Sequence, residues 1–334
     1  MKTVAVIGCG AWASTVTCLL AEKNSPSLNN TTIKIWCHDK TLSDHIDQFH
    51  KHPQFDHISF DSDIEATHDL DELIAESSHI ILGVASPFLS ILEQIKKNYT
   101  NQPILILTKG VVENGPSIFV SENVKHYLGD IPFATLSGPN LATEIQDKKP
   151  ATTVISSPYL KVAEDFQSLL SCPRFRVYTS LDQKGVEIGG VLKNSIAVAC
   201  GISEGLNLGN NCRSSLITRG LQEIIRFGTL FGGEEETFYG LSGMGDLITT
   251  CSSSSSRNYR LGFAIAEGKT ISEAIDLLSP QVAEGYKTTK LIHKIAETKS
   301  IEMPIVSELY KILYHDKRPI DALMSLMSRP LKSE

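Results

Sequence analysis

The chain has 334 residues, of which 31 are Lys or Arg, 38 are Asp or Glu, and 41% are hydrophobic. This length predicts two domains, and the hydrophobic fraction is enough to fill a core, which excludes wholesale disorder. The formal net charge of -7 argues against a protein that binds nucleic acid by neutralising phosphates, although a local basic pocket for one small phosphorylated ligand remains compatible with it.

The first half of the chain predicts strands that alternate with helices. Short apolar runs predict strands at residues 4–7, 33–36, 80–84, 103–107, 133–136, 153–155 and 175–178. Such alternation implies right-handed crossovers and a mainly parallel sheet with helices on both faces. From Val186 onward a 3.6-residue periodicity dominates and predicts helices only. We therefore predict an α/β fold with a C-terminal all-α domain, divided into residues 1–185 and 186–334.

Neither targeting segments nor metal sites are expected. No apolar run reaches the roughly 18–20 residues that span a bilayer, and residues 1–3 lead into a short apolar segment without a cleavage site, so we expect neither membrane insertion nor secretion. The seven cysteines are scattered singly and include no Cys-x-x-Cys pair, which indicates a reducing, cytoplasmic compartment. Four histidines occupy a polar stretch that predicts a solvated surface rather than a metal site: His45, His50, His52 and His57.

A glycine-rich turn closes the first predicted strand. Gly8, Gly10 and Ala13 have the spacing of the dinucleotide-binding motif, with Ala in place of the third glycine. Gly8 permits the tight turn, and Gly10 lets the backbone approach a pyrophosphate. The N-terminus of the following helix then offers free N–H groups and the positive end of a dipole. The turn therefore predicts a Rossmann-type domain that binds NAD or NADP.

The end of the second strand selects between these cofactors in such a domain. Asp39 could bond the ribose hydroxyls of NAD, whereas His38 and Lys40 could accommodate a 2′-phosphate. An ordinary polar turn would have the same composition. The sequence therefore leaves both cofactors open.

Polar residues also follow the fourth and fifth predicted strands. Lys109 comes directly after one, and Gly138 and Asn140 come after the next. Ligands of an open α/β sheet bind beyond the carboxyl ends of its strands, so Lys109 is placed where an anionic substrate could bind. A solvated loop lysine is the alternative.

In the helical half, Lys193 lies one helical turn from Gly189 and from Ala197. Glycine costs a helix roughly 1 kcal/mol relative to Ala, so glycine next to this lysine indicates that something approaches closely on that side. A surface lysine would not require it.

Further along, a glycine-rich segment leads to Asp246, and residues 256–258 precede a predicted helix. Ser256, Arg257 and Asn258 would then supply hydroxyl, guanidinium and amide donors together with backbone N–H groups, a combination that suits a phosphate. The alternative for the serine run is a flexible linker.

Together these blocks resemble the soluble NAD(P)-dependent sn-glycerol-3-phosphate dehydrogenase family. The blocks occur in the family's order at residues 8–12, 108–110, 137–139, 191–194, 216–220, 243–246, 256–258, 282–285 and 303–304. The resemblance implies a cytoplasmic oxidoreductase that interconverts dihydroxyacetone phosphate and sn-glycerol 3-phosphate for glycerophospholipid synthesis. It implies small-molecule ligands rather than nucleic acid, and it leaves a homodimer open.

The resemblance also implies individual site residues. Lys193 would be the catalytic lysine, stabilising charge on the carbonyl oxygen and donating a proton. Besides Gly8 and Gly10, the cofactor contacts would be Ala11, Trp12, His38, Lys109, Ala142, Arg257, Val282 and Glu284. The substrate contacts would be Lys109, Gly138, Asn140, Lys193, Asp246, Ser256, Arg257 and Asn258. Asn140 stands where the family more often has Ser or Thr.

Two alternatives stay open on the sequence. A dehydrogenase of the 3-hydroxyacid or 6-phosphogluconate type shares the two-domain plan and a glycine-rich helix with Lys and Asn, but would lack the Asp246 and 256–258 blocks. A non-catalytic dinucleotide-sensing protein would bind cofactor without turnover, and the presence of Lys109, Lys193 and Asp246 argues against it.

Overall fold

The N-terminal half of the chain forms one eight-stranded sheet in the computed structural model, which describes residues 2–22, 31–279, 283–331 and 333. The strands are β1 Lys2–Ile7, β2 Thr31–Trp36, β3 Ile64–Thr67, β4 His79–Leu82, β5 Ile104–Ile106, β6 Phe133–Ser137, β7 Ala151–Ser156 and β8 Phe175–Ser180. Their order is β3-β2-β1-β4-β5-β6-β7-β8, and all neighbours are parallel except β6 and β7. The predicted α/β class with a mainly parallel sheet is confirmed.

Apolar side chains cover both faces of this sheet. Along β1, Val4 and Val6 belong to one hydrophobic cluster, and Ala5 and Ile7 belong to another. Successive strand residues point to opposite faces, so a strand buried on both sides must be apolar at every position. The helices of this half are α1 Ala11–Ala21, α2 Lys40–Phe49, α3 Leu70–Glu76, α4 Ile91–Asn98, α5 Val120–Leu128, α6 Ala142–Gln146 and α7 Leu160–Leu170.

The strand missing from the prediction is β3, at one edge of the sheet. Its sequence, Ile-Glu-Ala-Thr, contains only one large apolar residue, Ile64, and pairs with β2 alone. An edge strand buries less surface than a central one, so it carries no apolar run for a sequence pattern to detect.

The rest of the chain is helical, and its described residues contain no strand. The helices are α8 Gln183–Gly205, α9 Gly209–Leu230, α10 Glu235–Phe238, α11 Asp246–Ser252, α12 Arg257–Ala266, α13 Ile271–Asp276, α14 Glu284–Thr298, α15 Pro304–Tyr314 and α16 Pro319–Met327. A π-helical turn, Leu241–Gly245, precedes α11. The chain divides into two units, Met1–Glu187 and Ile188–Glu334, so the division falls inside α8, near the predicted boundary at residue 185.

Among the described residues, α8 alone is long and apolar enough to cross a membrane by length and composition. Its most apolar window is 94% buried inside the protein, as expected of a core helix. The sequence has no uninterrupted apolar run of this length because Glu187 and Lys193, both buried in the fold, interrupt it.

Candidate functional site

Two glycines shape the turn between β1 and α1. Gly8 has a φ of +108°, and a Cβ there would lie 3.1 Å from backbone atoms of Gly83 and Val84. Gly10 is the N-cap of α1, and a Cβ at Gly10 would meet no protein atom within 4 Å. The space beside Gly10 is therefore open, and a ligand can approach the first backbone N–H groups of α1.

The N-terminus of α1 is suited to an anion. No side chain caps it, and its first turn contains no acidic residue. Ala11 and Trp12 are its first two residues, and both are partly exposed. The indole Nε1 of Trp12 is buried and has no hydrogen-bond partner within the described part of the chain. Free N–H groups, an uncompensated dipole and an open approach fit the pyrophosphate of a dinucleotide.

Ala13 replaces the third glycine of the motif, and a glycine on the neighbouring chain segment accommodates its methyl group. Ala13 is buried, and a Cβ added at Gly83 would lie 2.7 Å from the Ala13 Cβ. The close packing of α1 against the sheet is thus retained, because the residue that faces Ala13, directly after β4, is a glycine.

At the end of β2, the charged candidates already have partners within α2. The Asp39 carboxylate caps α2 and accepts both the Thr41 hydroxyl and the Thr41 backbone N–H, each at 2.7 Å, and these two bonds lower the pKa of Asp39. Lys40 pairs with Asp44 at 2.8 Å. His38 is exposed, with its ring 5.8 Å from that of Trp36 in an edge-on arrangement. Asp39 and Lys40 therefore each contribute to the start of α2, whichever dinucleotide binds.

The structure brings Lys109, Gly138 and Asn140 to the carboxyl ends of β5 and β6. Lys109 Nζ donates to the Gly138 carbonyl at 3.1 Å. The Asn140 amide donates to the Thr152 carbonyl at 2.9 Å, and its Oδ1 accepts the Thr153 hydroxyl at 2.9 Å. Asn140 thus fastens the loop after β6 to β7, a structural function that the sequence did not indicate.

In the second unit, the Lys193 ammonium forms an ion pair with the Asp246 carboxylate. Both side chains are buried, at 9% and 2% exposure. Lys193 lies in the middle of α8 and Asp246 is the first residue of α11. The Thr250 hydroxyl, one turn along α11, donates to the Asp246 carbonyl at 2.6 Å. A buried ammonium fixed by a buried carboxylate can serve as an oriented proton donor.

Glycines allow the Asp246 segment to reach α8. A Cβ at Gly189 would lie 2.8 Å from the carbonyl oxygen of Ser242, and a Cβ at Gly243 would overlap the carbonyl oxygen of Phe238. The close approach inferred from Gly189 is therefore made by backbone of the π-helical turn, which positions Asp246 opposite Lys193.

Ser256, Arg257 and Asn258 occupy the N-terminus of α12. Ser256 is its N-cap and accepts the Tyr259 N–H at 3.3 Å, and Arg257, the first helical residue, is exposed. Asn258 is buried, and its amide links three elements. It donates to Asn194 Oδ1 on α8 and accepts the Gly285 N–H of α14, each at 2.8 Å. The helix N-terminus that presents Arg257 is thereby held in place.

The remaining cofactor candidates have the following positions. Ala142 is the first residue of α6. Glu284 is the first residue of α14 and is buried, and its charge acts on Arg257. Val282 lies outside the described residues.

Two further polar residues make contacts that the sequence did not indicate. Asn194 was part of the Lys193 block but was given no role, because its bond to Asn258 joins positions far apart in the sequence. His52 was assigned to a solvated surface, and this was wrong: it is 3% exposed, and its Nε2 lies 2.9 Å from the Cys9 carbonyl. No periodicity in that polar stretch marks it as buried.

Comparison with known proteins decides the family. The model of the NAD-dependent glycerol-3-phosphate dehydrogenase N-terminus matches residues 3–163, and the model of the C-terminus matches residues 182–324. A glycerol-3-phosphate dehydrogenase (NAD(P)+) of Clostridium botulinum (strain Alaska E43 / Type E3) is 37% identical over 100% of this chain and 99% of its own. The chain belongs to the NAD-dependent glycerol-3-phosphate dehydrogenase family.

Solved structures give the same answer. A glycerol-3-phosphate dehydrogenase from Coxiella burnetii superimposes with a TM-score of 0.91 and is 33% identical, over 98% of this chain and 99% of its own. A glycerol-3-phosphate dehydrogenase from Plasmodium falciparum superimposes with a TM-score of 0.89 at 25% identity, over 99% of this chain and 97% of its own. The match to glycerol-3-phosphate dehydrogenases thus covers both units.

Proposed function

We propose that the chain transfers a hydride between NAD(P)H and dihydroxyacetone phosphate, giving sn-glycerol 3-phosphate reversibly. The observation that carries the proposal is the buried Lys193–Asp246 ion pair in a chain that matches glycerol-3-phosphate dehydrogenases over its whole length. When bound, the reduced nicotinamide supplies the hydride to the ketone carbon.

Lys193 is the proposed catalytic residue. Negative charge develops on the carbonyl oxygen as the ketone is reduced, and the Lys193 ammonium stabilises that charge and then donates a proton to it. In the reverse direction the neutral amine accepts the hydroxyl proton. Asp246 orients the ammonium, and Thr250 fixes the backbone of α11 at Asp246.

The N-terminus of α12 is the proposed phosphate site. Ser256 and Arg257 offer a hydroxyl, a guanidinium and backbone N–H groups at the positive end of a ten-residue helix. Binding energy from the phosphate would position the distant carbonyl. Asn258 supports this site through Asn194 and Gly285, and Lys109, Gly138 and Asn140 remain proposed substrate contacts.

The cofactor contacts are likewise proposals. The open N-terminus of α1 supports a pyrophosphate site at Gly8 and Gly10, with Ala11 and Trp12 beside it. The remaining members of this set are His38, Lys109, Ala142, Arg257, Val282 and Glu284. Either NAD or NADP is compatible with the residues that end β2.

The wider setting of the reaction rests on the resemblance. We propose that the product serves glycerophospholipid synthesis, that the enzyme works in the cytoplasm, and that it is a homodimer. The dimer proposal draws support from an exposed apolar stripe on α16, at Ile320, Met324 and Met327.

An oxidation assay tests the activity. The purified chain is given NADH or NADPH with dihydroxyacetone phosphate, and in parallel with a 3-oxo acid. We expect turnover only with the phosphorylated ketone, and loss of nearly all of it in Lys193→Ala with cofactor binding retained. Lys294→Ala, which removes an exposed lysine of α14, is the control.

Each alternative function has its own outcome. Turnover of the 3-oxo acid would identify a 3-hydroxyacid-type dehydrogenase, and cofactor binding without turnover of either substrate would identify a dinucleotide sensor. Near-normal turnover in Lys193→Ala would remove Lys193 from the chemistry.

A further inference from the structure

Two cysteines follow the ends of the neighbouring strands β1 and β2. Cys9 stands between Gly8 and Gly10, and Cys37 directly follows β2. Ile7 is opposite Trp36 in the parallel β1–β2 pair, and the Gly8 N–H donates to the Trp36 carbonyl at 3.1 Å, so both cysteines leave the sheet at neighbouring strand ends. Both side chains belong to the hydrophobic cluster that includes β1 and β2.

The two thiols differ in exposure. Cys37 is completely buried in the hydrophobic cluster that includes β1 and β2, whereas Cys9 is only partly buried at the edge of that cluster. A small solute in water therefore reaches Cys9 before Cys37.

Cys9 is also the more acidic thiol. The contact from Cys37, helped by the neighbouring His52, lowers the pKa of Cys9 to about 6 although burial opposes this change. The interaction with Cys9, together with burial, raises the pKa of Cys37, so Cys9 is the thiol that loses its proton first. By contrast, burial raises the pKa of Cys18. Because the thiolate is the nucleophile, Cys9 is the reactive partner.

The position of His52 supports this arrangement. The Gln54 N–H donates to His52 Nδ1 at 3.1 Å, which leaves the proton on Nε2, where the Cys9 carbonyl accepts it at 2.9 Å. The Ser14 hydroxyl donates to the same carbonyl at 3.2 Å. The backbone of Cys9 is therefore held from two sides.

We propose that Cys9 and Cys37 form a reversible oxidation site in the dinucleotide-binding turn, with a hydroperoxide as the oxidant. The Cys9 thiolate attacks the peroxide, breaks the O–O bond and becomes a sulfenic acid, releasing water or an alcohol after proton uptake. The Cys37 thiol then attacks the Cys9 sulfur, forms a disulfide and releases water. In total the two thiols lose two electrons and two protons, and the peroxide gains them.

A consequence follows for cofactor binding, and this part rests on the proposed function. Gly8 leaves the turn little freedom, since its backbone packs closely against Gly83 and Val84. Drawing Cys9 toward Cys37 would then shift the N–H groups at the start of α1. The oxidised protein should bind NADH and NADPH more weakly, and bound dinucleotide should slow the oxidation.

Peptide mapping tests the site directly. The reduced full-length protein is treated with one equivalent of hydrogen peroxide, digested and analysed by mass spectrometry. We expect the Cys9 and Cys37 peptides joined, lighter by two hydrogen atoms, and separated again by dithiothreitol. In Cys37→Ala, the same treatment should leave a sulfenic acid at Cys9 that dimedone traps. Cys212→Ala, which removes a partly exposed thiol of α9, should behave as the wild type.

The wild-type map alone decides the proposal, even if a variant fails to fold. Reduced Cys9 and Cys37 beside oxidised thiols elsewhere would overturn it. A joined pair with unchanged NADH and NADPH affinity would overturn the effect on the cofactor. Absence of turnover with dihydroxyacetone phosphate in the reduced protein would count against the proposed function and leave the peptide result intact.

Discussion

The buried carboxylate of Glu223 on α9 accepts the backbone N–H of Ile305 at 2.6 Å, within the first turn of α15. The other oxygen accepts the Val306 N–H at 3.1 Å. One side chain therefore joins two helices and satisfies donors that a helix N-terminus leaves free. Burial raises the pKa of Glu223 to about 7, although these two bonds act in the opposite direction.

This pKa predicts a pH dependence of stability. The folded carboxyl keeps its proton up to pH about 7, whereas the unfolded one loses it near its ordinary value of 4.5. The contribution of Glu223 to the free energy of unfolding is therefore complete below pH 4.5 and is lost as the pH rises through 7. It amounts to about 3 kcal/mol at most. Urea unfolding at several pH values from about 5 to about 8, on both sides of this pKa, measures the contribution.

Glu223→Gln removes the titration and retains the shape. We expect its unfolding free energy to vary less across that pH range than that of the wild type. Glu236→Gln, at an exposed position on α10, is the control and should keep the wild-type profile. Identical profiles in the wild type and Glu223→Gln would contradict the prediction.

The Lys193–Asp246 pair should show strong coupling in stability. Asp246→Leu alone leaves a buried ammonium without its carboxylate, and we expect a loss of about 3–5 kcal/mol in the free energy of unfolding. Lys193→Met alone leaves the buried carboxylate and should cost a similar amount. The double variant should regain most of the loss, as a double-mutant cycle in urea would show. Additive single effects would mean that the pair is not coupled.

The variant Gly10→Ala distinguishes an effect on cofactor binding from an effect on protein stability. The added Cβ meets no protein atom within 4 Å and the backbone is extended, so the melting temperature should be almost unchanged. If a dinucleotide binds there, the Kd of the cofactor that supports turnover, NADH or NADPH, should rise about tenfold. This corresponds to a loss of about 1.4 kcal/mol in binding free energy. Calorimetric titration gives the Kd, and an unchanged value would place the cofactor elsewhere.

Gly83→Ala tests the compensation for the missing third glycine. Its Cβ would lie 2.7 Å from that of Ala13, so we expect the overpacking to cost about 1–3 kcal/mol. The exchange Ala13→Gly with Gly83→Ala restores the total volume and should recover much of the stability. Thermal unfolding of the three variants checks this, and a double variant no better than Gly83→Ala would disprove the complementarity.

How far the fold followed from the sequence depends on the kind of element. Central strands such as β1 are apolar on both faces, and their composition alone identifies them. The edge strand β3 lacked that composition. The antiparallel pairing of β6 with β7 could not be predicted either, because alternation of strands and helices does not specify the direction of each strand.

The residues of the candidate site likewise divide into those that local sequence identifies and those that it does not. Short-range motifs placed the glycine turn and the α12 N-terminus, since each is built from neighbouring residues with particular backbone needs. The partners of Asn258 and His52 come from distant parts of the chain, and no spacing rule connects them.

The sequence by itself determined the parallel α/β half, the helical half and the glycine turn, because periodicity and glycine geometry are local properties of the chain. Only the tertiary structure decided that Lys193 meets Asp246, that Asn140 fastens a loop, and that His52 reaches the Cys9 carbonyl. Such contacts depend on how separate elements pack, and burial then gives each polar group its partner and its charge.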